Sequence, residues 1–269
     1  MLKFPPRRIL AAVEPSSASL HAWEAAKEIA ERFNASLEAV WCVQQAPTAP
    51  VGLHNLSARP GFRAASLKRL RERLGPGARV HAVNGDPVFA LRRLARDLRV
   101  DLLVMGTHHR PGIVRWIQGS TAEAVVHDAP CPVLIVPRPW RAPRWILAPV
   151  HGAAYARRGL QAAAVLARAY NARLSMVEVV EEGAKAPFAA KRISVQAAKL
   201  PPALFKAVRP ELEVRVGYPV KEILRAERGR DLLVLVAHRK SLLGNMVLGA
   251  TVERVLRHSR IPVLAIPSR

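Results

Sequence analysis

The sequence predicts two tandem α/β domains, each a doubly wound, five-stranded parallel sheet with helices on both faces. Three observations carry this. Apolar runs such as "LLVM" at 102–105 and "VLIV" at 133–136 lack in/out alternation, as strands buried on both faces do. Between such runs, apolar residues recur at three- and four-residue spacing, the period of a helix face. The whole pattern is also written twice. "ILAAVEPS" at Ile9 returns as "ILAPVHGA" at Ile146, and "FNASLEAV" at Phe33 as "YNARLSMV" at Tyr170, each displaced by 137 residues. Further along, "DLLVMGTHHR" at Asp101 returns as "DLLVLVAHRK" at Asp231, and "CPVLIVP" at Cys131 as "IPVLAIP" at Ile261, displaced by 130. The shrinking displacement locates net deletions in the second copy, before and within its third helix.

In the first copy, Ile9–Val13 is the first strand. Leu20, Trp23, Ala26, Ala30 and Phe33 share one face of the helix that follows, and Asn34 suits a left-handed C-terminal cap. Leu37–Val43 is the second strand. After a loop rich in proline and alanine, a helix over Ala65–Leu74 turns Leu67, Leu70 and Leu74 to the core and its arginines to solvent. Arg79–Val83 is the third strand. Pro87, acceptable in a first turn, precedes a helix with Val88, Leu91, Ala95 and Leu98 on its apolar face. Leu102–Met105 and Val133–Val136 complete the sheet. The domains are then 1–139 and 144–269, joined by a stiff linker at 140–143 within "PRPWRAPR".

Composition excludes several classes. Half of the 269 residues are hydrophobic, enough for a substantial core. Cys42 and Cys131 stand far apart, so neither a disulfide framework nor a thiolate zinc site is indicated, and a reducing cytoplasm fits. The N-terminus has no apolar h-region, and no apolar run reaches the roughly 18 residues of a membrane span. A soluble cytoplasmic protein is expected. The net charge of +22 would by itself suggest a polyanionic partner. It is spread over both halves, though, with 19 basic against 11 acidic residues in 1–140 and 23 against 9 in 141–269. Arginine supplies 33 of the 42 basic residues, and no helix-turn-helix, RRM or zinc-finger signature accompanies them. Nucleic-acid binding therefore ranks below the readings that follow. The chain has no GxSxG elbow, GxxxxGK[ST] loop or GxGxxG fingerprint, nor a positioned nucleophile or general base, so it is not expected to be an enzyme, and any hydrolysis would be slow and incidental. His108 and His109 are adjacent and lack companions at ligand spacing, so no metal site is expected.

In a doubly wound sheet, ligands settle at the carboxyl ends of strands near a topological switch point. The stretch "GTHHRPGIVRWIQGST", 106–121, leaves the fourth strand there and enters a helix at about Ser120. Gly106 can take positive φ and bring backbone close to a ligand, while Gly119 exposes the N–H groups that open the helix. Ser120 and Glu123 have the S-x-x-E spacing of a capping box. The same residues would cap a helix with nothing bound. Local pattern leaves both readings open.

With "ILAAVEPS", the "G-D-P" before a helix, "DLLVMGTHHR", "GSTAEAVV" and "CPVLIVP", the repeat resembles the universal stress protein family, as a tandem pair over essentially the entire chain. The resemblance implies an adenine nucleotide alpha-hydrolase-like fold in which two domains pair through their fifth strands. Here Val133–Val136 would meet Val263–Ile266, an intrachain pseudo-dimer that leaves a homodimer of whole chains open. In the family's nucleotide-binding members a glycine motif wraps the phosphates of ATP. Its positions fall on Gly106, His109, Gly119 and Ser120, followed by Thr121, with Arg110 and Arg115 adding phosphate charge. The family's acidic residue after the first strand corresponds to Glu14, and its adenine contacts to Val43 and Met105. ATP, with Mg2+, is the implied cofactor. His109 departs from the motif's glycine, and its ring would either contact a phosphate or fill the phosphate's space. In the second copy Glu14 becomes His151, Gly106 Val236, His109 Arg239 and Ser120 Ala250, with Gly249 alone retained. The resemblance thus implies at most one nucleotide per chain. Two functions remain: a regulatory protein in which ATP orders the 106–119 loop and so presents or hides a surface for a protein partner, or a stress or scaffold protein acting by association alone.

Overall fold

The computed structural model describes residues 4–14, 18–43, 61–106, 120–151, 156–183, 186–242 and 245–268. The first copy runs β1 (Arg8–Ala12), α1 (Ala18–Phe33), β2 (Ser36–Val43), α2 (Phe62–Leu74), β3 (Arg79–Asn84), α3 (Pro87–Asp97), β4 (Leu102–Gly106), α4 (Ser120–Asp128) and β5 (Val133–Val136). The second runs β6 (Trp145–Pro149), α5 (Ala156–Tyr170), β7 (Arg173–Val180), α6 (Ala186–Ala198), α7 (Pro202–Val208), β8 (Glu211–Val216), α8 (Pro219–Ala226), β9 (Leu232–Ala237), a hairpin of β10 (Arg239–Leu242) and β11 (Asn245–Leu248), α9 (Ala250–His258) and β12 (Val263–Pro267).

Local chemistry repeats with the sequence. Asn34 and Asn171 both take φ 51, and each ends its helix in the left-handed conformation that asparagine tolerates. Asp101 accepts the N–H groups of Arg7 and Arg8, both at 3.1 Å, and Asp231 those of Arg144 and Trp145, both at 2.9 Å. Each aspartate thus ties the start of its domain's fourth strand to the start of its first. At Gly85, φ is 114, and Asp86 then caps α3 by accepting from Val88 at 2.9 Å and Phe89 at 3.1 Å. Tyr218 stands at the same place before α8 and gives no side-chain cap.

All strands outside the hairpin form one ten-stranded sheet, in the order β3-β2-β1-β4-β5-β12-β9-β6-β7-β8. Pairing is parallel within each half and antiparallel at the centre, where Ile135, Leu134 and Val133 face Val263, Leu264 and Ala265. The doubly wound halves joined through their fifth strands are borne out. Alternate residues feed two cores. Ile9, Ala11, Leu102 and Val104 pack with α1 and with the corresponding layer of the second copy, including Ile146, Leu174 and Val234. Leu10, Leu103, Val133 and Ile135 face the opposite layer, with α3 and α4.

Polar contacts bridge the halves on both faces. Glu28 of α1 accepts from Trp140 Nε1 at 2.9 Å and from the Tyr170 hydroxyl at 2.8 Å. On the other face Arg257 of α9 donates to both carboxylate oxygens of Glu123, at 3.0 and 2.8 Å. The sequence reading did not anticipate α7 or the β10–β11 hairpin. Among the described residues, no helix is long and apolar enough to cross a membrane.

Candidate functional site

Within each half the strand order is 3-2-1-4-5, so the order of winding reverses between β1 and β4, the topological switch point at whose carboxyl ends ligands bind in doubly wound sheets. Ala12 pairs with Met105 beside it. Beyond β1, buried Val13 donates to the carbonyl of Val40, and Glu14 follows, half-buried, at the mouth. The Ser19 hydroxyl donates to the carbonyl of Glu14 at 2.6 Å, anchoring the start of α1 to the end of β1. Gly106 closes β4 next to Val136, and Met105 is buried behind it. Val43 ends β2, partly buried, and its carbonyl accepts from Gly85 at 3.4 Å.

Of the residues singled out from sequence, Glu14, Met105 and Gly106 therefore converge on the switch point, with Val43 one strand further out. Ser120 opens α4 and Thr121 is exposed in its first turn. His109 and Gly119, with Arg110 and Arg115, lie outside the described residues. Glu123, in the first turn of α4, gives both carboxylate oxygens to Arg257. No cluster of three or more His, Cys, Asp or Glu that could hold a metal occurs among the described residues.

Two neighbours escaped the sequence reading. Burial, and secondarily the charge of Asp86, push the Cys42 thiol up to about 11, so it stays protonated and unreactive at neutral pH. Cys42 precedes Val43 on β2, and Asp86 follows β3, so only the sheet brings them together.

The second copy is built differently at the same point. Val150 donates to Val177, as Val13 does to Val40, and His151 then takes the place of Glu14. His151 is held below its ordinary range by desolvation and next by His238, with Glu178 pulling the other way. Buried Glu178 is neutralised by Arg192, at 2.6 Å. Val236, in place of Gly106, presses on α5: a Cβ on Gly159 would lie 2.5 Å from its Cγ2. Past it the chain folds back as the β10–β11 hairpin, closed by Gly249 N–H donating to the carbonyl of His238 at 3.1 Å. Gly249 caps α9 with extended backbone and no side-chain hydrogen bond.

This architecture is a tandem of doubly wound α/β domains, one with glycine at the switch-point end of its fourth strand and one with valine. The model of the universal stress protein family matches the chain twice, over residues 6–137 and 144–267. A universal stress protein of Methanocaldococcus jannaschii is 32% identical over 143 residues, covering 49% of this chain and 83% of that protein. Universal stress protein A homolog 1 of Coxiella burnetii is 32% identical over 138 residues, 48% of this chain and 95% of its own length. The crystal structure of a universal stress protein from Archaeoglobus fulgidus superposes with a TM-score of 0.76 at 18% identity, covering 99% of this chain and 100% of the other, a likeness of fold. The chain belongs to the universal stress protein family.

Proposed function

We propose that the first half, residues 1–139, binds an adenine nucleotide, ATP with Mg2+ foremost, and that the second half does not. The protein then acts as a regulator whose occupancy is read by a protein partner through the 106–119 loop. The observation that carries this is the pair of strand ends at the switch point. Gly106 ends β4 and Glu14 follows the adjacent strand β1 in the first copy, and Val236 and His151 replace them in the second. A glycine there lets backbone approach a phosphate, and the helix opening at Ser120 presents N–H groups and a positive dipole end to it. Glu14 supplies an acceptor for a ribose hydroxyl. A β-branched side chain at the glycine position removes the close approach. Val236 spends its bulk on Gly159 instead.

Calorimetric titration with ATP and magnesium tests the reading. Saturation near one site per chain, abolished by Gly119→Val, is expected. Two equal sites would refute the asymmetry. No binding by the native chain with binding gained by His109→Gly would mean that the imidazole plugs the cradle and that the protein works by association alone.

A further inference from the structure

Among the described residues, every exposed large apolar side chain except Phe89 falls between residues 188 and 218: Phe188, Val195, Phe205, Leu212, Val216 and Tyr218. This stretch ends the ten-stranded sheet at β8, whose outer edge pairs with no other strand of the sheet. An apolar sheet edge is a template for another strand. The opposite edge, β3, differs: Arg63 of α2 donates to the carbonyl of Ala82 there, and β3 carries none of these exposed apolar side chains.

The backbone of β8 has a defined phase. Gly217 donates its N–H inward, to the carbonyl of Val180, so alternation along the strand turns the amide groups of Leu212, Val214 and Val216 outward. Those three side chains share the sheet face under α6, where Val214 packs on the core while Leu212 is 42% and Val216 50% exposed. The other face carries Glu211, Glu213 and Arg215.

We propose that β8 is a self-association surface that pairs antiparallel with β8 of a second copy, in the register centred on Val214. That register sets Leu212 against Val216 of the partner as a hydrogen-bonded pair and Glu213 against the partner's Arg215 as a close, non-hydrogen-bonded pair. The nearest registers of the same phase set Glu213 against its own copy or Arg215 against its own copy. Like charges directly opposed are destabilising, so the strand's charge pattern selects one pairing, and its occupant is another copy of this strand. The chain's own seam between β5 and β12 joins two edges antiparallel in the same manner. Pairing at β8 would extend the sheet through a second molecule. It does not depend on nucleotide.

Sedimentation equilibrium of the full chain tests this. The native chain is expected at twice the mass of one chain, falling to a single chain in Leu212→Lys/Val216→Lys. Glu213→Arg and Arg215→Glu are each expected to be monomeric alone, since each opposes like charges across the twofold, and to regain the dimer mass when mixed. Far-UV circular dichroism matching the native chain establishes that each variant is folded. A native chain that stays monomeric, a dimer that survives Leu212→Lys/Val216→Lys, or a folded mixture that stays monomeric overturns the proposal.

Discussion

Val236 on β9 rests against Gly159 of α5 so closely that a methyl group added at Gly159 would meet its Cγ2 at 2.5 Å. The first copy has the small and large members exchanged, with Ala22 in the position of Gly159 and Gly106 in that of Val236. Both α1 and α5 therefore approach their sheets through one side chain of variable size. Bulk on the helix goes with glycine on the strand, and bulk on the strand with glycine on the helix.

Gly159→Ala is expected to destabilise the protein although alanine is the better helix former. The propensity gain is about 1 kcal/mol, and overpacking against stiff, β-branched Val236 costs about 1–3 kcal/mol. Adding Val236→Ala should recover stability, so the two changes will not sum in denaturant unfolding. Additive losses would show that the contact is slack.

The two third-helix caps make an opposed pair. Asp86→Ala removes the acceptor of two N–H groups at the start of α3 and should cost about 1 kcal/mol. Tyr218→Asp places the same cap on α8, where none exists, and should raise stability by about 0.5 kcal/mol once the lost hydrogen bond from Arg254 to the Tyr218 hydroxyl is offset. Thermal or urea unfolding of both variants reads the contrast.

Tyr170 predicts an alkaline limb of stability. Burial first, then its hydrogen bond to Glu28 and the charge of that carboxylate, raise its hydroxyl above the ordinary range. The unfolded state ionises near pH 10, where the folded state still holds its proton, so the folded state binds more protons and stability falls as pH rises above about 10. Tyr170→Phe should start lower, by about 1 kcal/mol for the lost hydrogen bond, and decline less steeply above pH 10. Equal slopes would sever Tyr170 from the alkaline transition.

Both thiols should resist modification in the native protein. Burial pushes Cys131 up to about 12, beyond the value of about 11 for Cys42, and Cys131 is only 5% exposed. With an aromatic disulfide reagent at pH 8, Cys42 should react slowly, Cys131 more slowly still, and both at once in denaturant. Prompt labelling of either in the native chain would contradict its burial.

Much of the fold was legible because its signals are local or repeated. Unbroken apolar runs marked the central strands, three- and four-residue spacing marked α1 and α3, and Asn34 and Pro87 marked helix ends. The placement of Gly106 followed from strand order, and that of Glu14 and Met105 from the family resemblance. Glu123 shows where such reading stops. Its carboxylate meets Arg257, 134 residues away, a partner that no local spacing announces. Asp86, distant along the chain, was not legible as the charge beside Cys42, and nothing in local spacing announced the hairpin in the second copy.

The sequence by itself determined the repeat, the strand and helix periods and the asymmetry between Gly106 and Val236, because each is written in residue type and spacing along the chain, while the pairing of the fifth strands was implied by the family resemblance. Only the tertiary structure decided that Val236 meets Gly159, that Glu28 gathers Trp140 and Tyr170, that Glu123 meets Arg257, and that Leu212, Val214 and Val216 turn their amides outward. Those contacts depend on helix rotation and strand phase relative to partners distant in the sequence. Periodicity says which side of an element is buried, while packing alone chooses the neighbour it is buried against.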